Sequence, residues 1–454
     1  MSDTSTCETP LRHRKIAEPE AAEPTAFPIE FLGWLPAFLQ FGNCGTHPQF
    51  GHTQTPPPGY RFTRSCPDLL TDATNPSGWI VRKCKALRAF GLLKCLATLF
   101  LFLRSFVRSV LKTGRVGPSF RFVRSRHFKS QVVSPRRAEL VFLTSVPFTL
   151  GQNPWVIEIE DPTTLFYPFV QNGHTQHLDI ARSPYFELVK DLLEADACRG
   201  IVSHMRSTAE ALPRLFRSKT IARKVTYAPL GVVLPKRWQT QEDDETINLL
   251  FTNSWHQLPV GFHLRGGLDV LEAFWILHAR YPQLRLTIRS SLPQLDERYH
   301  RIVENGWVRL IGRFTPAATM DAIQRETHIF LLPAARIHIV SVLQAMSYGQ
   351  AVVVSDGWGM DEYITNEVNG LIVEGRAGKV SWMDREAGFL RENYRPMDES
   401  DPLVVEGIVE AVSRLVEERS LRRRLGAAAR NDIETKYSIE NWNLALKKVF
   451  DNAR

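Results

Sequence analysis

One stretch constrains this chain more than any other: Ile329 to Gly370, IFLLPAARIHIVSVLQAMSYGQAVVVSDGWGMDEYITNEVNG. Its first four residues, Ile329–Leu332, read as a buried strand. A polar loop follows, then apolar residues at helical spacing over Val340–Tyr348, closed by Gly349. A second apolar strand spans Ala351–Ser355, ahead of a loop rich in Asp and Gly and a turn at Asn369-Gly370. Strand, loop, helix and strand at this spacing make a βαβ unit whose helix starts beyond the strand's carboxyl end. The unpaired N–H groups near Ile339–Ser341 then form an anion site, with phosphate the usual guest.

The same alternation runs through most of the chain. Strands are expected at Phe38–Phe41, Leu140–Leu143, Trp155–Ile159, Gly200–Ser203 and Val225–Ala228, with helices at Tyr185–Ala195 and Ser207–Leu215. After the polar stretch Lys236–Thr246 the pattern restarts. Strands Asn248–Thr252, Leu284–Arg289 and Val308–Ile311 alternate there with helices Leu268–His278, Asp296–Asn305 and Pro316–Glu326. A chain of 454 residues is too long for one core. The expected fold class is α/β: two Rossmann-like, doubly wound domains facing each other across a cleft. The expected divisions are a disordered leader over 1–36, a first domain over 37–236, a linker over 237–246 and a second domain over 247–432. A last helix over 433–454 is expected to pack back on the first domain. Ligands of such sheets sit at strand carboxyl ends, hence in the cleft.

The net charge of +8 implies an anionic partner. The excess is local: between Asp72 and Glu139 there is no acidic residue, while Lys and Arg recur from Arg82 to Arg137. Within this stretch a basic amphipathic helix is expected over 79–113. Arg104, Arg108 and Lys112 form one stripe on it, and its longest uncharged run, Cys95–Leu103, is too short to span a bilayer. The segment reads either as an interfacial helix on anionic lipid or as a core helix whose basic residues face solvent. Nucleic acid is not expected, because no helix-turn-helix, zinc or RNA-recognition signature accompanies the charge. The six cysteines show neither metal-ligand spacing nor a disulfide framework, and the N-terminus lacks an apolar signal core. These features suit a cytoplasmic protein, peripheral on the inner membrane face.

In order and spacing, these elements resemble the retaining glycosyltransferases of family 4, which have the GT-B fold. The likeness runs from about Phe38 to the C-terminus and is strongest over Leu249–Gly370. VTYAPLGV resembles the stretch before that family's linker, HLRGGLDVLEAFWILHARYPQLRLTI its basic-glycine loop, helix and strand, and LLPAARIHIVSVLQAMSYGQAVVVSDGWGMDEYI its donor-site block. The resemblance implies that the second domain holds a sugar nucleotide. Its sugar would pass to a hydroxyl with retained configuration, and no metal or other cofactor would take part. Cations and helix N-termini would stabilise the departing diphosphate. Arg265 matches the family's basic residue and would hold the phosphates bidentately; the plainer alternative is a surface arginine in a Gly-rich turn. Ser341, with the amides of Ile339 and Val340, would meet the diphosphate or form an ordinary helix cap. Gly42, Gly45 and His47 correspond to the first loop, which faces acceptor and phosphate.

Two positions depart from the family, which carries glutamates where this chain has Arg336 and Gln344. Gln344 can still bond ribose hydroxyls through its amide. Arg336 reverses the charge and is expected to bind phosphate or another anionic group. His338 is a polar contact or a packed loop histidine. Where the family often has a mid-domain histidine, this chain offers Glu158, Glu160 and Asp161. Asp161 is the candidate to orient or deprotonate the acceptor hydroxyl, with a turn cap before Pro162 as the alternative. A lipid-linked or polysaccharide-precursor acceptor would explain the basic helix. The rival readings are a catalytically silent GT-B scaffold, suggested by Arg336 and Gln344, and a basic nucleic-acid-binding protein.

Overall fold

Short apolar runs separated by amphipathic helices give this chain two parallel sheets. The computed structural model describes residues 26–32, 54–63, 138–144, 153–166, 186–236, 245–253, 259–311 and 315–454, with isolated positions at 52, 96, 100, 103, 104, 107, 110, 111, 114, 116 and 238. The first sheet contains β1 (Phe27–Leu32), β2 (Tyr60–Thr63), β3 (Val141–Thr144), β4 (Trp155–Glu158), β5 (Cys198–Ser203) and β6 (Val225–Tyr227), in the order β2-β1-β3-β4-β5-β6. The second contains β7 (Ile247–Thr252), β8 (Leu284–Arg289), β9 (Val308–Ile311), β10 (Ile329–Leu332), β11 (Ala351–Ser355) and β12 (Leu371–Val373), in the order β12-β11-β10-β7-β8-β9. All their pairings are parallel. Strands β10 and β11 are buried at every position, as strands covered on both faces must be. In the second sheet the order reverses between β7 and β10, which opens a crevice at their carboxyl ends.

Strand β1 corrects the expected leader, because Phe27–Leu32 lies inside 1–36. Its Ile29 and Phe31 are buried in the main core, and Glu30 pairs in register with Val141 of β3. The run is too short for its period to stand out against the Pro- and Ala-rich residues before it. Strand β2 was not expected either, and the strand expected at Phe38–Phe41 lies outside the described residues. So does most of the basic segment; its described residues at 96, 100, 103, 107 and 111 are helical, with Leu96, Phe100, Leu103, Val107 and Leu111 exposed. Among the described residues, no helix is long and apolar enough to cross a membrane.

Two elements cross between the lobes. The last helix, Ile439–Ala453, lies on the first sheet, where Phe450 meets Tyr60 and Phe142 edge-on at centroid distances of 5.4 and 5.3 Å. An antiparallel hairpin, β13 (Ser381–Asp384) and β14 (Phe389–Glu392), leaves the second lobe after β12. Phe389 is buried in the first lobe's cluster with Leu165, Phe166, Leu212, Leu215 and Phe216. Gly388 (φ 77°) makes the approach, since a Cβ there would stand 2.8 Å from the Leu215 amide nitrogen. In the expected linker, Trp238 Nε1 donates to the Tyr348 carbonyl at 2.9 Å, fixing that residue to the second lobe.

Candidate active site

The crevice at the carboxyl ends of β7, β8 and β10 gathers a cluster of buried charge. The helix Ile339–Ser347 begins there, directly after the loop that leaves β10. Its N-cap, His338, offers no side-chain cap; the Ser341 and Val342 amides reach back to the His338 carbonyl at 3.1 and 3.4 Å. None of the described residues accepts a hydrogen bond from the Ile339 or Val340 amide, which leaves the positive end of this helix open among them. Ser341 and Gln344 share one helix face and are half-buried, while Val342, Leu343, Ala345 and Met346 pack inward.

Arg265 enters the same crevice from the loop after β7. It is 5% exposed, and its Nη1 donates to the Thr252 carbonyl at 3.1 Å. Two glycines let the loop come this close. A Cβ on Gly266 (φ 76°) would stand 2.4 Å from the Pro333 carbonyl oxygen, and one on Gly267 2.5 Å from the Phe262 ring. Burial, then the charges of Arg289 and Arg336, pull the Arg265 guanidinium down to about 9, with Glu160 opposing. No carboxylate among the described residues pairs with it. His338 is held well below its ordinary value by burial and by Arg265 and Arg336, so its imidazole is neutral. A neutral ring can both donate and accept.

Arg336 has a different place from the one expected. Instead of facing a donor anion it reaches the first lobe, 2.7 Å from Asp161, 3.3 Å from Glu392 and 3.7 Å from Glu160. Burial is the largest single influence and opposes the charge, but Asp161, Glu392, Tyr394 and Glu160 together outweigh it and raise the guanidinium well above its ordinary value. Three carboxylates already fill its fork, so Arg336 is spent on holding the lobes together.

Asp161 is corrected too. It is fully buried, accepts from the Thr163 amide at 2.8 Å and from the Thr163 hydroxyl, and so caps the turn that starts at Pro162. An acceptor hydroxyl cannot reach it. Gly42, Gly45 and His47 lie outside the described residues.

Four further polar groups complete the cluster, and sequence reasoning passed over their roles. His204, just past β5, stands 2.5 Å from Glu158 through Nδ1 and 3.7 Å from Glu160 through Nε2. Burial opposes its charge, but Glu158 and then Glu160 lift it to about 10, so it is an imidazolium. Glu160, with 28% of its side chain exposed, is the accessible carboxylate of this group. Burial would raise it; His204, 3.7 Å away, and the charges of Arg336 and Arg265 hold it below the ordinary range. Arg289 ends β8, and Glu392, which also bonds Tyr394, ends β14. The signal for two of them was positional: His204 and Arg289 are ionisable residues at the carboxyl ends of predicted strands.

Around this centre the lobes interlock. Glu362 accepts from the Arg206 and Ser207 amides at 2.5 and 3.1 Å, capping the first-lobe helix Arg206–Phe216 from the second lobe. Tyr363 donates to the His204 carbonyl at 2.6 Å and accepts from the Leu230 amide at 3.0 Å. A cavity of about 740 Å³ opens beside this contact, lined by Ser207, Glu210, Arg214, Trp358, Trp382 and Arg385.

A family model described as Glycosyl transferases group 1 matches residues 262–384, the stretch that supplies Arg265, Arg289 and the open helix. No curated protein matches the chain. Among solved structures, the chain is similar to HepE of Anabaena in complex with UDP and glucose, at 11% identity over 74% of this chain and 82% of that one, with a TM-score of 0.48. It is similar to TarM of S. aureus in complex with UDP, fondaparinux and a GlcNAc-glycerol, at 14% identity, with a TM-score of 0.45; the match covers 69% of this chain and 55% of TarM. A third is the sucrose-phosphate synthase of Thermosynechococcus elongatus, at 15% identity over 69% of this chain and 73% of that one, with a TM-score of 0.46. At such distances, what those proteins bind stays with them. The Glycosyl transferases group 1 match thus falls within the second lobe of a fold built from two parallel six-stranded sheets.

Proposed function

We propose that this transferase moves a sugar, with retention of configuration, from a nucleotide-sugar donor to a hydroxyl of a lipid-linked or polysaccharide-precursor acceptor. The observation that carries the reading is Arg265: a buried guanidinium with no carboxylate partner among the described residues, beside the uncapped start of the Ile339–Ser347 helix. A departing diphosphate gathers negative charge, and fixed donors placed where that charge develops lower the barrier. Arg265 and the Ile339 and Val340 amides take this part, which a metal plays in other phosphate-releasing enzymes. Gln344, half-buried on the open helix face, is placed to bond the ribose. Glu160, kept ionised by His204, orients the acceptor hydroxyl.

The exposed apolar positions Leu96, Phe100, Leu103, Val107 and Leu111 support docking of the same chain on a lipid surface, because the sequence around them is basic and free of acidic residues. The acceptor would be met there, on the cytoplasmic face. One observation favours a second reading: the Arg336–Asp161 clasp, which closes the first lobe on the second, fits a silent scaffold.

A thermal-shift screen with uridine, guanosine and adenosine diphosphates tests the donor site. One of them should raise the melting temperature in a concentration-dependent way; silence from all three ends the proposal. Sugar release from the matching nucleotide-sugar, measured with and without anionic vesicles, then separates enzyme from scaffold. Turnover that vesicles enhance supports the full reading, and donor binding without turnover favours the scaffold.

A further inference from the structure

Resting on the donor-site reading above, we infer that Arg289 is the second cation of the diphosphate site and makes that site select nucleoside diphosphates over monophosphates. The argument starts from the strand. Along β8 the side chains alternate: Arg285 is exposed and Thr287 half-buried on the face that Arg289 shares, yet Arg289 is only 8% exposed. Its Nε is buried and hydrogen-bonded to nothing. Among the described residues its guanidinium has no ion pair and no hydrogen bond. Burying a guanidinium without a partner is unfavourable in general, and none of the described residues offsets it here. The charge balance of the neighbourhood points the same way. Arg336 is matched by Asp161 and Glu392, and His204 by Glu158 and Glu160. Arg265 and Arg289 are left over.

These two arginines are neighbours through the sheet. Thr252, whose carbonyl holds Arg265, is the register partner of Arg289 on the adjoining strand. The Asn253 amide donates to the Arg289 carbonyl at 2.8 Å, locking the strand ends together. Burial lowers the proton affinity of both groups, and Arg289 is the largest charge acting on Arg265. Two like charges thus face one crevice that also holds the free Ile339 and Val340 amides. The ligand chemistry that satisfies them together is two linked anionic centres, a diphosphate, whose bidentate acceptors match guanidinium donors. A monophosphate reaches only one of the two.

The test uses calorimetric titration of the full chain with inorganic pyrophosphate and with the mono- and diphosphates of uridine, guanosine and adenosine. For the base that binds, Arg289→Gln should weaken the diphosphate about 30-fold or more, as loss of a buried charged hydrogen-bond partner does. Monophosphate affinity should change by no more than about threefold, and Arg289→Lys should recover part of the loss. The ligand-free melting temperature of Arg289→Gln should hold or rise, since an unpaired buried charge is removed. Equal diphosphate binding by wild type and Arg289→Gln overturns the inference and leaves the donor reading standing. Loss of mono- and diphosphate binding together, with a lower melting temperature, also overturns it, as a purely structural effect. Arg289-dependent binding of pyrophosphate with no nucleotide bound keeps the anion site and removes the donor reading.

Discussion

A single guanidinium, that of Arg336, settles the charge on Asp161 and Glu392, neither of which meets water. Removing it leaves buried carboxylates unmatched. Arg336→Ala should therefore lower the unfolding free energy by about 3–5 kcal/mol in a urea titration, and Asp161→Asn in the same chain should restore part of it. No loss on Arg336→Ala would mean the clasp is not formed in solution. Glu392 carries a pH signature. Burial, with Asp161 and Glu160 behind it, lifts its carboxyl from 4.5 to about 7 against the pull of Arg336 and the Tyr394 hydrogen bond. The folded chain then binds more protons than the unfolded one between those values, so this group's stabilisation is full below about pH 4.5 and fades as pH rises through 7. It amounts to about 3 kcal/mol at most. Glu392→Gln should lack that decline, so its stability relative to wild type should improve from pH 5 to pH 7.5; parallel curves would remove Glu392 as the cause. Arg336 shows what a sequence withholds at this scale. Its departure from the family was plain, but not its partners, because Glu392 sits on a strand of mixed composition (FLRE) far along the chain.

At the scale of elements, the second lobe was legible because strong apolar runs such as IFLL and AVVVS are bounded by turn residues, and because Arg265 precedes two glycines. The hairpin was not, since SWMD and FLRE carry charge and lack a clear period. Nor was β1, whose parallel partner β3 lies more than a hundred residues away, beyond anything local spacing can report. The glycine pair can be tested as an element. Gly266 has φ 76° and no room toward Pro333, so Gly266→Ala must shift the loop that carries Arg265. It should reduce stability by about 1–3 kcal/mol and weaken nucleoside diphosphate binding about tenfold or more. Gly59→Ala is the control: φ is 82° but open space surrounds it, so stability should fall while binding holds. Equal binding by both variants would show that the loop does not position the phosphate contact.

Across the whole molecule, the lobes share structure that a two-domain reading does not anticipate. One hydrophobic cluster includes Phe31 and Val156 of the first sheet, Leu249 and Val353 of the second, and Phe450 of the last helix. The chain also crosses back at Val232, whose amide donates to the Tyr437 carbonyl at 2.9 Å and whose carbonyl accepts from Ile439 at 3.0 Å. Phe389, on a second-lobe hairpin, fills the first lobe's other cluster. Phe389→Ala should therefore destabilise the protein by about 3–5 kcal/mol, as large-to-small changes at filled core sites do. If the lobes open as one cooperative unit, native-state hydrogen exchange should show the same loss of protection in β4 and β5 as in β7 and β10. Faster exchange confined to the first sheet would mean that the hairpin braces only the lobe it enters and that the second sheet holds the crevice at its strand ends alone.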